Sequence, residues 1–221
     1  MFHSVEELQK KLAECDYLTD RSVATVVYLA IRLQKPLLVE GPAGVGKTEL
    51  AKVLATATNS RLIRLQCYEG LDEAKALYEW NYQKQLLCLS VKQNQSKSWR
   101  EAKDDIFTPE FLLRRPLLEA LDSKEPVVLL IDEVDKSDEE FESFLLEILS
   151  DYQITVPELG TIKAKRIPVA VLTSNNFRDL GDALKRRCIH LYLDYPTFER
   201  ELGIVNLKVP GIDQALAQQA V

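Results

Sequence analysis

Leu37-Leu38-Val39-Glu40-Gly41-Pro42-Ala43-Gly44-Val45-Gly46-Lys47-Thr48 is the segment from which the organisation of the chain follows. Leu37-Leu38-Val39 is too short for a helix and apolar enough for a buried parallel strand. The next eight residues, Gly41 to Thr48, match G-x-x-x-x-G-K-[ST] in full, and a helix from Thr48 to Thr58 follows them. Strand, glycine loop and helix in that order have a specific use. The glycines let successive backbone N–H groups turn inward around phosphate oxygens, and the helix N-terminus adds its positive dipole. Lys47 supplies a point charge toward the β and γ phosphates of a bound ATP or GTP, and the Thr48 hydroxyl is a ligand for Mg²⁺. An ordinary glycine turn would also read as glycine-rich, but it requires neither the strand before nor the helix after.

Working outward toward the N-terminus, Asp20 caps a helix from Arg21 to Leu33, whose Val26, Val27, Leu29, Ala30 and Leu33 are expected to face a core. Ser4 and Glu7 are spaced as a capping box for a shorter helix up to Glu14. Toward the C-terminus, strands are read at Leu62–Gln66, Val127–Ile131, Val169–Leu172 and Ile189–Leu193, which with the first make five. Each is nearly all apolar and most are separated by helical stretches, so the expected fold is α/β, a parallel sheet covered on both faces. Between the second and third strands, Leu71 to Leu89 is expected to be mainly helical, Val91 to Lys97 a polar surface loop, and Thr108-Pro109 the start of a helix to Leu121. Ser137 and Glu140 form a capping box for a helix bearing Phe141, Phe144, Leu145, Ile148 and Leu149. Ile154–Val156 and Thr161–Lys163 read as a β-hairpin, Asp179 to Lys185 as a short helix, and Thr197 as the start of another.

Two further clusters carry chemistry. Asp132-Glu133 ends the Val127 strand, where a carboxylate points into the crevice in which open α/β sheets bind ligands. Asp132 is placed to hold Mg²⁺ through its water shell, and Glu133 to act as base or orienter for an attacking water. A solvated strand end would show the same two acids, and only the glycine loop upstream tips the reading. Asn175, at the end of the Val169 strand, has an amide suited to a γ-phosphate and a lytic water, although Asn175-Asn176 is equally a turn signal. Lys185-Arg186-Arg187 reads alone as a helix end favoured by the C-terminal dipole.

Composition bounds the rest. The chain has 221 residues, 46% apolar and 28% charged, with only 8 Gly and 9 Pro, the balance of a folded globular protein with room for one α/β domain and a small appendage. With 28 Lys and Arg against 34 Asp and Glu the formal charge is −6, which argues against a protein built to grip nucleic acid. Cys15, Cys67, Cys88 and Cys188 form no C-x-x-C pair and the histidines are only His3 and His190, so neither a zinc site nor a redox pair is expected. No apolar run approaches the roughly 18 residues that span a bilayer, and no apolar leader opens the chain, so a cytoplasmic protein is expected.

The segments GPAGVGKTELAKVLA, LLIDEVDKSDEEFESFLLEIL, VPELGTIKA, LTSNN and DALKRRC together resemble the AAA+ ATPases and, within them, the MoxR group. CYEGLDEAKALYEWNYQKQLL is similar to MoxR ATPases that work with von Willebrand A-domain proteins. The resemblance implies a P-loop NTPase three-layer αβα sandwich with a five-stranded parallel sheet. It makes Gly41, Pro42, Ala43, Gly44, Val45, Gly46, Lys47 and Thr48 the Walker A loop with Glu49 beside it, Asp132 and Glu133 the Walker B pair, and Asn175 the first sensor. Arg187 corresponds to the arginine finger, since its Arg-Cys step resembles the ending of clamp loaders and the Arg-Phe ending of other MoxR proteins. Arg186 is the second candidate. A finger implies a homo-oligomeric ring, a hexamer by family habit, with ATP and Mg²⁺ at subunit interfaces and a client enzyme or complex as the object of remodelling.

By the same resemblance residues 1–196 form the ATPase core and 197–221 the beginning of a helical lid that would be incomplete, with no candidate for the second sensor arginine. That leaves an alternative expectation, a nucleotide-gated binding module with little or no hydrolysis. Clamp-loader-like action on DNA is disfavoured by the charge, and no guanine-reading Asn-Lys-x-Asp occurs, so adenine is expected, with Tyr17-Leu18 near it.

Overall fold

Five of the apolar runs pair side by side and parallel, which gives the molecule its frame. In the computed structural model, which describes residues 2–91, 106–157 and 159–221, the strands are β1 (Leu37–Glu40), β2 (Arg61–Gln66), β5 (Val127–Asp132), β8 (Val169–Ser174) and β9 (Ile189–Tyr192). Their order across the sheet is β2-β5-β8-β1-β9, every neighbouring pair parallel. The β5 side chains show why the run is apolar without alternation. Val128 and Leu130 enter one core, and Val127, Leu129 and Ile131 the other, because a pleated strand sends successive side chains to opposite faces.

One face is covered by α1 (Val5–Glu14), α2 (Arg21–Leu33) and α3 (Lys47–Ala57) through Leu8, Leu12, Val27, Ile31, Leu50 and Leu54. The other is covered by α6 (Pro116–Asp122), α7 (Glu139–Asp151) and α8 (Asp182–Arg187) through Leu117, Leu121, Phe141, Leu145, Ile148 and Leu184. The fold is therefore the three-layer α/β sandwich expected. Two helices, α9 (Phe198–Lys208) and α10 (Gln214–Ala220), close the chain. Ser4 accepts the Glu7 N–H and Asp20 the Val23 N–H, the two caps read from the sequence.

Several expectations are corrected. Leu71–Leu89 is mainly helical as expected, but its helices α4 (Glu73–Ala76) and α5 (Tyr82–Val91) are separated by an unexpected strand, β3 (Tyr78–Trp80), which pairs antiparallel with β4 (Leu112–Arg114). β4 in turn interrupts the helix expected from Pro109 to Leu121, leaving a 3₁₀ turn at Pro109–Phe111 and then α6. Pro116 is the reason: it disfavours helical backbone at Arg115, which is extended at φ −97° and ψ 171°. The cap of α7 is Asp138, accepting the Phe141 N–H at 2.8 Å, while Ser137 closes the preceding 3₁₀ turn by donating to the Val134 carbonyl. The Asp179–Lys185 helix is α8, starting three residues later, because the Gly181 N–H is taken by the Glu142 carboxylate at 2.8 Å. In α2 the core face is Val23, Val27, Ala30 and Ile31, leaving Leu29 and Leu33 exposed. The hairpin stands as β6 (Gln153–Val156) and β7 (Gly160–Lys163). Residues 92–97 of the expected polar loop lie outside the described residues. The cysteines are all free, and burial pushes the Cys67 and Cys188 thiols up to about 12.

Candidate functional site

Three parallel strands carry their ends to one edge of the sheet. β1 runs into the glycine loop, β5 ends at Asp132, and β8 ends at Ser174 with Asn175 next. Register sets them side by side: Glu40 is opposite Ser174 and Gln66, on β2, is opposite Asp132. Ligands of open α/β sheets bind beyond these carboxyl ends.

The loop is held by its lysine. Lys47 is 6% exposed, and its Nζ donates to the carbonyls of Gly41 at 2.7 Å and Pro42 at 2.6 Å. Burial lowers its pKa, and the charges of Asp135, Asp132 and Glu133 work against that shift. Gly41 is indispensable for a packing reason, since a Cβ there would stand 1.9 Å from the Leu193 carbonyl oxygen at a φ of +147°. Gly41→Ala is therefore expected to lower unfolding free energy by about 3 kcal/mol, measured by urea denaturation, from overpacking against backbone that cannot yield.

Asp132 is buried at the mouth of the loop. Its Oδ1 accepts from the Thr48 hydroxyl at 3.0 Å and from the Thr173 hydroxyl, and its Oδ2 pairs with Arg64 of β2. Thr173 also accepts the Glu133 N–H at 2.9 Å, so one hydroxyl ties β8 to both acids. Glu133 lies in the left-handed region at φ 56° and ψ 50°, where the strand turns sharply into the 3₁₀ turn. Its Oε1 receives the Asn175 amide at 3.2 Å, and its Oε2 receives Gln66 at 2.8 Å and Lys136 at 2.7 Å.

Sequence-predicted residues thus converge. Ala43, Gly44, Gly46, Lys47, Thr48 and Glu49 line one side of a crevice of about 330 Å³, and Asp132, Glu133 and Asn175 the other. Arg187 does not line it. It ends α8, exposed, with Nε donating to Ser150 of α7 at 2.6 Å, and Arg186 beside it is also exposed. Tyr17, buried and with its phenol pushed up to about 12 by that burial, stands against Gly46. Leu18 meets Gly203 of α9, and Arg200 of α9 donates to the Leu18 carbonyl at 2.8 Å. Thr48 and Asp132 are hard oxygen donors within hydrogen-bond distance of each other, a pair that suits Mg²⁺ when phosphate and water oxygens complete the shell.

The sequence reading missed Thr173, Gln66, Arg64, Lys136 and Asp135. A signal existed for two: Thr173 starts the same Thr-Ser-Asn-Asn run as Asn175, and Asp135 is the third acid after the β5 apolar run. Gln66 and Arg64 become visible only once β2 is known to lie beside β5.

A family model for the AAA domain, dynein-related subfamily, matches residues 36–188, from the start of β1 through the end of α8. The chain belongs to the dynein-related subfamily of AAA domains. Among curated proteins, this AAA domain is similar to an uncharacterized protein of Staphylococcus haemolyticus, 25% identical over 92% of the chain and 72% of that protein. It is also similar to one of Staphylococcus saprophyticus, 26% identical over 83% of the chain and 65% of the relative, and to one of Staphylococcus aureus, 29% identical over 74% and 57%. A solved structure of a candidate ATPase from Cytophaga hutchinsonii superposes with a TM-score of 0.61 at 18% identity, covering 95% of this chain and 58% of that one, a likeness of fold. The chain spans 57% to 72% of the lengths of these relatives. Among the described residues no helix is long and apolar enough to cross a membrane.

Proposed function

We propose that this AAA domain is a Mg²⁺-dependent ATPase of the MoxR group, acting in a cytoplasmic homo-oligomeric ring, a hexamer, on a client enzyme or complex with a von Willebrand A-domain partner. The observation that carries the hydrolytic part is the placement of Glu133, fixed between Gln66, Lys136 and Asn175 at the lip of the crevice that Lys47 and Thr48 line. The ordered motifs and the β6–β7 hairpin ahead of β8 support the group.

In this reading the loop Gly41–Thr48 and the backbone N–H of Glu49 would hold the phosphates, and Thr48 and Asp132 would hold Mg²⁺, which would supply charge neutralisation to the phosphoryl group. Lys47 exchanges its two carbonyl partners for phosphate oxygens. Glu133 accepts a proton from water as that water's oxygen bonds to the γ-phosphorus and the bridge to ADP breaks, releasing inorganic phosphate. Asn175 orients the water, and Arg187 serves the nucleotide of the neighbouring copy. Tyr17 and Leu18 lie against the adenine, with residues 1–196 as core and 197–221 as the beginning of a lid.

Two measurements follow. Lys47→Ala is expected to weaken ATP binding by about 10–100-fold, the worth of charge-assisted bonds to phosphate, in a calorimetric titration. ATP turnover per chain should rise with protein concentration as neighbours complete each other's sites. Turnover absent at every concentration, with nucleotide still bound, would sink hydrolysis and leave a nucleotide-gated binding module.

A further inference from the structure

Asp135 has no part in the reaction above, yet it is 1% exposed, deep beside the site. Its Oδ2 accepts the backbone N–H of Asn175 at 2.9 Å and that of Phe177 at 2.8 Å, and its Oδ1 is buried without a hydrogen-bond partner. A buried carboxylate is costly to desolvate, so its retention calls for a gain that an apolar residue would not give. Here the gain is two charge-assisted bonds to amides that would otherwise be left without partners where the chain leaves β8. Between these two amides the Ser174 hydroxyl accepts the Asn176 N–H at 3.1 Å, with Asn176 at a φ of +58° and Phe177 80% exposed, so Asp135 is the carboxylate that fastens the turn on both sides of that residue. Arg178 fastens it again further on, Nε to the Ser137 carbonyl at 2.8 Å.

What matters is where Asp135 sits. It lies in the 3₁₀ turn Val134–Lys136 that Glu133 itself caps, two residues from Glu133. The same short turn therefore carries Glu133 and grips the backbone of Asn175, whose side chain meets Glu133 at 3.2 Å. We propose that Asp135 is the positioning residue that fixes Asn175 relative to Glu133, and through that pair the alignment of the attacking water. The inference rests on the ATPase reading for its kinetic consequence but not for the anchor.

The test uses the full chain with Asp135→Ala, Asp135→Asn, Asn175→Ala and the double variant Asp135→Ala/Asn175→Ala. Asp135→Ala is expected to lower kcat by about 10²-fold, the scale of a misplaced catalytic group, with KM and nucleotide affinity within about threefold. Asp135→Asn keeps most of kcat, because one amide oxygen can accept both N–H groups. The double variant loses no more than the worse single one, since both disable the same device. Additive losses, affinity falling in step with kcat, or an Asn variant as poor as Ala would overturn the proposal.

Amide hydrogen exchange needs no turnover. In Asp135→Asn, which preserves size and fold, exchange at Asn175 and Phe177 should rise about threefold as a charged acceptor becomes neutral, and stay constant on β5. Unchanged exchange there would overturn the anchor even if Asp135→Ala does not fold. A wild type without turnover would sink the ATPase reading alone, leaving the exchange result to decide the anchor.

Discussion

Glu133→Gln is expected to lower ATP turnover by about 10²–10⁴-fold, the usual worth of a positioned general base, and to leave nucleotide affinity nearly unchanged. The substitution is close to isosteric, and the hydrogen bonds of the Glu133 side chain go to Gln66, Lys136 and Asn175, outside the loop, so binding through Lys47 and Thr48 is expected to change little. What disappears is the acceptor. Three donors, from Asn175, Gln66 and Lys136, converge on the carboxylate and fix its position. A glutamine amide accepts at one oxygen only and turns an N–H toward one of those donors. Phosphate release at saturating ATP, set beside calorimetric binding, separates the two effects. Loss of affinity equal to the loss of turnover would make Glu133 part of the architecture and not of the chemistry.

Arg187→Ala is expected to reduce turnover by about 10³–10⁵-fold, the range of arginine fingers, again with binding intact. The expectation follows from a separation. Arg187 is exposed at the end of α8 and bonded to Ser150, away from the crevice its own chain forms, so any service it gives is to another copy. Mixing settles this. Arg187→Ala contributes sites with an intact Glu133, and Glu133→Gln contributes intact fingers, so two inactive proteins should regain turnover when combined. A mixture that stays inactive, or an Arg187→Ala protein as active as wild type, returns Arg187 to a helix-end charge favoured by the local dipole.

The parallel sheet was legible because a strand buried on both faces must be apolar throughout, and Val127–Ile131 could be little else. The loop was legible because its chemistry demands fixed residue types at fixed spacing. Less legible was the region around β3 and β4, where three-residue strands carry too few side chains to show a period, and composition favoured helix over the extended backbone that pairing imposes. Pro116 was the one local signal there, and it marks the break. The cap of α7 moved by one residue because Ser137 and Asp138 are both good caps, and only the 3₁₀ turn before them decides which is free to act. Within the site, the residues found from sequence are those that follow strand ends. Of those missed, Gln66 and Arg64 act across strands, reaching Glu133 and Asp132 from β2, a neighbour fixed only by sheet order.

The contact between Gly41 and the Leu193 carbonyl bears on how relatives of this chain are to be compared. Position 41 is constrained by the backbone that follows β9 whether or not a nucleotide is ever bound, whereas a Cβ at Gly44 would meet nothing within 4 Å. A descendant that had abandoned ATP would still keep its first glycine, and would be free to drift at the second as far as its φ of +88° allows. Glycine at 41 is thus a marker of the scaffold, and glycine at 44 the more informative marker of the ligand.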